Sequence, residues 1–167
     1  MLDFNQFGTD AVPVLPGAVI GDGVRVVFDP DASMLLTARR AERDLPGRRT
    51  TPTLVLRGEN RAPDDWLGVE IDLPSPAHDV ALTARNYPVH RLFPRLHYDH
   101  PGGTGHVDLP DVAASDTFAT RIFDARTWSD AHRIASARAL RLTVLIPSTP
   151  WFAMEIESIK LHTVAHA

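Results

Sequence analysis

The chain has 167 residues, 44% of them hydrophobic and 23% charged. That is the make-up of a globular domain, and it excludes collagen, coiled coil and full-length disorder. Its 17 basic and 21 acidic residues leave a formal net charge of -4, without the basic footprint of a nucleic-acid binder. Cysteine is absent, so there is no disulfide, thiolate metal site or cysteine nucleophile.

Residues 1–23 have no positively charged leader, and Pro13, Pro16 and Gly17 break their apolar stretch. They read as an irregular N-terminal segment, neither a secretory signal nor a transit peptide. No window approaches the roughly 20 apolar residues of a membrane span. The expected location is cytoplasmic, with no membrane partner. Lys160 is the single lysine among the 17 basic residues, a skew expected of GC-rich bacterial coding.

Beyond residue 23, prolines punctuate short apolar runs. There are 14 in the chain, above the usual share of roughly 5%. Between them the period-two alternation predicts nine strands: Val24–Asp29, Ser33–Arg39, Thr53–Arg57, Trp66–Leu73, Asp79–Arg85, Arg91–Tyr98, Thr117–Phe123, Ala139–Ile146 and Trp151–His162. Ser33–Leu45 has a competing helical pattern, but Leu36-Thr37-Ala38-Arg39 recurs as Leu82-Thr83-Ala84-Arg85 in a stronger strand. Ser129–Ala139 is compatible with a short helix capped by Ser129. In the last strand, Phe152, Met154 and Ile156 share one parity, and Ile159 and Leu161 the other. One core can hold both sets only across a slip, so a β-bulge is expected near Glu157–Ser158. Many short strands between Pro/Gly turns predict an all-β chain: one antiparallel β-sandwich over residues 1–167, of jelly-roll type, with about eight or nine strands.

Several residue groups are chemically suggestive. His97, His100 and His106 lie with Asp99 and Asp108 inside fourteen positions, and neutral imidazole suits Zn, Fe, Cu or Ni. The spacing matches no established metal motif. An exposed Gly/Pro loop that happens to carry histidine explains it without a metal, so no cofactor is expected. A divalent metal on His97, Asp99, His100 and His106 is the alternative. Asp99, Asp108 and Asp111 offer oxygens for calcium, without the EF-hand pattern. Glu70/Asp72 and Glu155/Glu157 are same-face carboxylate pairs, spaced roughly 7 Å along a strand. Charged residues on a polar strand face are ordinarily just solvated. There is no nucleophile elbow, and Pro101-Gly102-Gly103-Thr104-Gly105 lacks the Lys-Ser/Thr of a P-loop.

A more distributed pattern is formed by arginines. Parity turns Arg25, Arg57, Arg85, Arg121 and Arg141 each away from the apolar side of its strand. If the five share one surface, they build either arginine–carboxylate ladders with Glu70, Asp72, Glu155 and Glu157, or a face for an anionic or polyhydroxylated ligand. Trp66, on the polar side of its strand beside Glu70, supplies a candidate aromatic platform. Trp128 and Trp151, at a loop and a strand start, have core or rim positions as their simpler explanation.

The tail from Arg141 to Leu161 runs penultimate strand, Pro147-Ser148-Thr149-Pro150 turn, and final strand ending Ile156-Glu157-Ser158-Ile159-Lys160-Leu161. It resembles the closing hairpin of galactose-binding-like jelly rolls and carbohydrate-binding modules. The resemblance implies a β-sandwich that often binds sugars, and it transfers no binding residue. The expected function is thus a non-catalytic carbohydrate-binding-like domain linked to bacterial polysaccharide metabolism. Its ligand residues would be Arg25, Arg57, Trp66, Glu70, Arg85, Arg121 and Arg141, its partner a glycan. Two alternatives stay open: a metal-dependent sugar-modifying enzyme using the His97/His100/His106 cluster, and a structural or homo-oligomerising sandwich without a small ligand.

Overall fold

A computed structural model describes residues 2–28, 35–45, 47, 50–59, 66–73, 78–88, 91–123, 139–147 and 151–163. Thirteen strands run through them: β1 Val12–Pro13, β2 Val19–Gly21, β3 Val24–Phe28, β4 Leu35–Arg43, β5 Thr51–Glu59, β6 Trp66–Leu73, β7 His78–Tyr87, β8 Arg91–His100, β9 Gly103–Asp108, β10 Val112–Ala113, β11 Ala119–Phe123, β12 Ala139–Pro147 and β13 Trp151–Thr163. Among the described residues the only helical element is a 3-10 turn at Phe4–Gln6. All nine predicted strands are present, including the ambiguous one at β4. The short helix considered over 129–138 lies outside the described residues.

The four additional strands are β1, β2, β9 and β10. Three have only two or three residues, too few for an alternation to register. β1 and β2 also show that residues 1–23 are not wholly irregular. β9 was expected to be loop, because two of its six residues are glycine. It pairs with β8 from Arg95↔Asp108 to His100↔Gly103, and Gly105 there has a packing reason: a side chain would run into the ring of Tyr98.

The strands form two antiparallel sheets. One has the order β1-β4-β5-β13-β7-β11; the other has the order β10-β8-β12-β6-β3-β2, with β9 also on β8. Successive long strands repeatedly cross from one sheet to the other. The closest partners of the last two are therefore distant in sequence: β12 lies between β6 and β8, and β13 between β5 and β7. The inward parities meet in one core. Leu36, Leu54, Leu56, Leu82, Phe152, Met154 and Ile156 from the first sheet, and Val26, Leu67, Val69, Leu96, Leu142 and Val144 from the second, are at most 1% exposed. Each such side chain contributes roughly 1.5–3 kcal/mol by leaving water.

The expected bulge is present. β13 follows β7 in register from Ala153↔Tyr87 to Ile156↔Ala84, then resumes at Ser158↔Thr83. Glu157 is the extra residue. It lets Ile156 and Ile159 both be buried, which an uninterrupted strand cannot do for positions three apart.

Phe152 lies directly opposite Gly58 on β5, and its ring occupies the space where a side chain at residue 58 would sit. Gly58→Ala should therefore destabilise the fold by about 1–3 kcal/mol through overpacking, read as a lower melting temperature. The same change in a Phe152→Leu background should cost less. An unchanged melt for Gly58→Ala would contradict this packing.

Candidate functional site

Cross-strand partners share a sheet face, so the registers state which side chains stand together. On the outer face of the six-stranded sheet, one row runs Thr37–Arg57–Ala153–Tyr87, and the next runs Arg39–Val55–Glu155–Arg85. Beyond them lie Ala41 and Thr53 on β4 and β5, with Thr83 and Thr120 on β7 and β11.

Two aromatic rings are displayed at one end of this face. Trp151 is 50% exposed and Tyr87 is 37% exposed. Small Ala153, two positions from Trp151, is the register partner of Tyr87. The Tyr87 hydroxyl donates to the Asp116 carbonyl at 2.8 Å, which fixes the ring, and the Arg57 guanidinium lies over the Trp151 ring at 5.8 Å.

The middle of the face is polar and ordered. Arg85 holds one oxygen of Glu155 through Nε at 2.8 Å and a terminal nitrogen at 2.6 Å, and Thr53 donates to the other oxygen at 2.6 Å. Thr53 is fully buried. Arg43 pairs with the bulge residue Glu157. Phe118, just before β11, lies beneath both guanidiniums, 4.2 Å from that of Arg43 and 4.9 Å from that of Arg85. A groove of about 540 Å³ opens here, lined by Thr9, Arg39, Arg40, Glu42, Arg85 and Glu155.

The outer face of the seven-stranded sheet is organised differently. Arg25 bonds Glu70 at 2.9 Å and also pairs with Asp72. The hydrogen bond that Arg25 donates to Glu70 is the largest influence holding the Arg25 pKa above its ordinary value. Arg141 reaches Asp99 at 3.5 Å, Arg95 bonds Asp108 at 2.6 Å, and Arg91 pairs with Asp111. The bond from Arg95 draws the Asp108 carboxyl below its usual range. These are the ladders the sequence offered as one alternative, and they engage all three aspartates considered for calcium.

His97 and His106 face each other across β8 and β9, with ring centroids 6.1 Å apart. Burial is the chief cause that lowers the His97 pKa; Glu70 opposes it, while Arg141, Arg95 and His106 reinforce it. The side chain of His100 lies outside the described residues. Among the described residues, no group of three His, Asp or Glu could hold a metal ion. The four-ligand alternative includes His100 and so extends outside those residues; His97, Asp99 and His106 by themselves form no such group.

The single arginine surface is not formed. Arg57 and Arg85 belong to the outer face of the six-stranded sheet, while Arg25, Trp66, Glu70 and Arg141 belong to that of the seven-stranded sheet. Strand crossing separates them by the thickness of the sandwich. Arg121 belongs to neither face. Its register partner is the buried Leu82, and its Nε donates to the Ala113 carbonyl of β10 at 2.8 Å, linking the margins of the two sheets. The parity of β11 is opposite to that expected: Phe123 is 4% exposed and Ile122 is 65% exposed. At an edge strand, one large ring opposite Val80 outweighs a smaller residue at the rim.

Sequence reasoning missed Tyr87, Arg39 and Phe118, and gave Trp151 only a rim or core role. Parity alone was available for three of them. Tyr87 follows Arg85 by two, Trp151 precedes Glu155 by four, and Arg39 alternates with Leu36 and Ala38 only by position. Nothing in the sequence indicates the reach of Phe118 across the sheet.

No protein-family model matches the sequence, and no curated protein matches it. Among solved structures, the fold is similar to the family 11 carbohydrate-binding module of the cellulosomal cellulase Lic26A-Cel5E of Clostridium thermocellum. The TM-score is 0.50 at 9% identity, covering 93% of this chain and 97% of that one. It is also similar to the family 11 module from Clostridium thermocellum in complex with a β-1,3-1,4-mixed-linked tetrasaccharide. Here the TM-score is 0.51 at 9% identity, covering 91% of this chain and 95% of that one. At this identity the likeness is one of fold: the chain shares the two-sheet β-sandwich architecture of these modules.

The His97 environment has a pH consequence. Its folded pKa lies below the ordinary 6.5, so the unfolded chain takes up this proton more readily as the medium acidifies. Stability is then lost as pH falls through the unfolded value. His97→Gln should flatten the decline in melting temperature between about pH 7 and pH 5. An equally steep decline in the variant would show that His97 is not its source.

Proposed function

We propose that this sandwich is a non-catalytic carbohydrate-binding domain, and that the glycan lies along the outer face of the six-stranded sheet. The observation that carries the reading is the coincidence on that face of two exposed rings, Trp151 and Tyr87, with a row of fixed hydrogen-bonding groups. A pyranose has an apolar face of C–H groups and an equator of hydroxyls. Aromatic rings bury the first, and guanidinium and carboxylate groups bond the second. The Arg57–Trp151 and Arg85–Tyr87 contacts already bring these two kinds of group together.

The same geometry favours binding over hydrolysis. Glu155 and Glu157 on the face are engaged by the guanidiniums of Arg85 and Arg43, and Glu59 lies 3.7 Å from that of Arg57. A glycosidase works with a pair of carboxyl groups facing the scissile bond, whereas Glu155 and Glu157 already face guanidiniums of the same sheet. A family 11 module bound to a tetrasaccharide shares the fold, which supports the glycan class. A bacterial source, resting on the arginine-for-lysine skew, and a role in polysaccharide metabolism, resting on the glycan reading, belong to this proposal.

Isothermal titration against a panel of neutral and acidic oligosaccharides tests the reading. Trp151→Ala and Tyr87→Ala should each weaken the best ligand by roughly tenfold or more, as for buried aromatic anchors in other interfaces. Their melts should stay near wild type. Absence of any binding at millimolar glycan, or binding lost only on Trp66→Ala in the other sheet, would overturn it.

A further inference from the structure

Of the guanidiniums on the outer face of the six-stranded sheet, Arg85 is committed to Glu155, Arg43 to Glu157, and Arg57 reaches Glu59 at 3.7 Å. Arg39 differs from them. It lies in the same cross-strand row as Glu155 and Arg85, is exposed, and has no ion pair or side-chain hydrogen bond among the described residues. Arg40, beside it in the groove wall, has no carboxylate partner among those residues either. Its backbone N–H is taken by the Gly8 carbonyl, which pins the chain before β1 along this edge.

The carboxylates of the groove do not offset this charge. Glu155 spends one oxygen on Arg85 and the other on Thr53. Glu42 remains, against the open guanidiniums of Arg39 and Arg40. We infer that the glycan taken by this face is acidic, with a sugar carboxylate received by the Arg39 fork while the rings of Trp151 and Tyr87 carry the neighbouring residues. This rests on the glycan-binding reading above and names its ligand class. A planar guanidinium offers two parallel N–H groups that match the two oxygens of a carboxylate, and such pairs are stronger than hydrogen bonds to a neutral hydroxyl. The groove, about 540 Å³ in volume, admits a carboxylate-bearing sugar without moving the core.

The test is titration of the whole chain with oligouronates of defined linkage, namely tetragalacturonate and tetramannuronate, alongside their methyl esters and a neutral mixed-linkage glucan tetrasaccharide. Esterification removes the charge and keeps the hydroxyls. The inference expects at least one free uronate to bind tenfold or more tighter than its ester. It also expects Arg39→Gln to abolish that difference, Arg39→Lys to restore only part of it, and added salt to weaken the uronate but not the ester. Trp151→Ala should weaken both forms. Equal affinity for acid and ester, or a preference for the acid that Arg39→Gln leaves unchanged, would overturn the acidic ligand while leaving the glycan reading intact. No binding by any saccharide would remove both. Because Arg39 is exposed, its variants should melt with wild type, so a lost preference is not a lost fold.

Discussion

The last strand carries a conflict between backbone period and core demand, and the extra residue Glu157 resolves it. β13 lies between β5 and β7 and contributes Phe152, Met154, Ile156 and Ile159 to the core. Ile156 and Ile159 have opposite parity, so without a bulge one would face water. Inserting one residue restores burial on both sides of the slip. It also leaves Glu155 and Glu157 together on the outer face, where they meet Arg85 and Arg43 from different strands. The hydrophobic requirement inside the sandwich thereby sets the polar architecture outside it.

The two outer faces use the same residue types to different ends. On the seven-stranded sheet, Arg25, Arg141, Arg95 and Arg91 each have an aspartate or glutamate within reach. Exposed pairs of this kind contribute about 0–1 kcal/mol; their main effect is to leave little net charge for a ligand. On the six-stranded sheet, Arg85 and Arg43 hold Glu155 and Glu157, and the exposed rings of Trp151 and Tyr87 share the face with Arg39, which has no ion pair among the described residues. Ligand chemistry follows from which groups stay exposed on a face, not from the number of charges.

Phe118 shows how a contact outside the regular ladders shapes this surface. It belongs to the approach to β11, at the edge of the sheet, yet its ring lies near guanidiniums from β4 and β7. Cation–π contacts contribute about 0.5–1 kcal/mol at exposed sites, and two on one ring hold both arginines in place. Their heads are thereby kept toward Glu157 and Glu155, at one end of the face. The aromatic end carries Trp151 and Tyr87.

The strands and the bulge were legible in the sequence because both are local. Alternation at period two is enough to mark Val24–Asp29 or Trp66–Leu73, and a parity break three residues wide is enough to place a slip near Glu157–Ser158. Short edge strands such as β1 and β10 left no comparable signal. Facial membership was not legible. Alternation tells which way Arg25, Arg57, Arg85 and Arg141 point from their own strands, but not which sheet each strand joins. Strand crossing sends Arg57 and Arg85 to one side of the sandwich and Arg25 and Arg141 to the other. At the margin, even the direction is decided by neighbours: Phe123 takes the inward place in β11 and carries Arg121 inward with it. By itself the sequence determined nine of the strands, the apolar sides of such strands as β3, β6 and β12, and the all-β class, because these depend on residues a few positions apart. Only the tertiary structure decided which polar groups share a surface, because that depends on pairings between strands far apart along the chain.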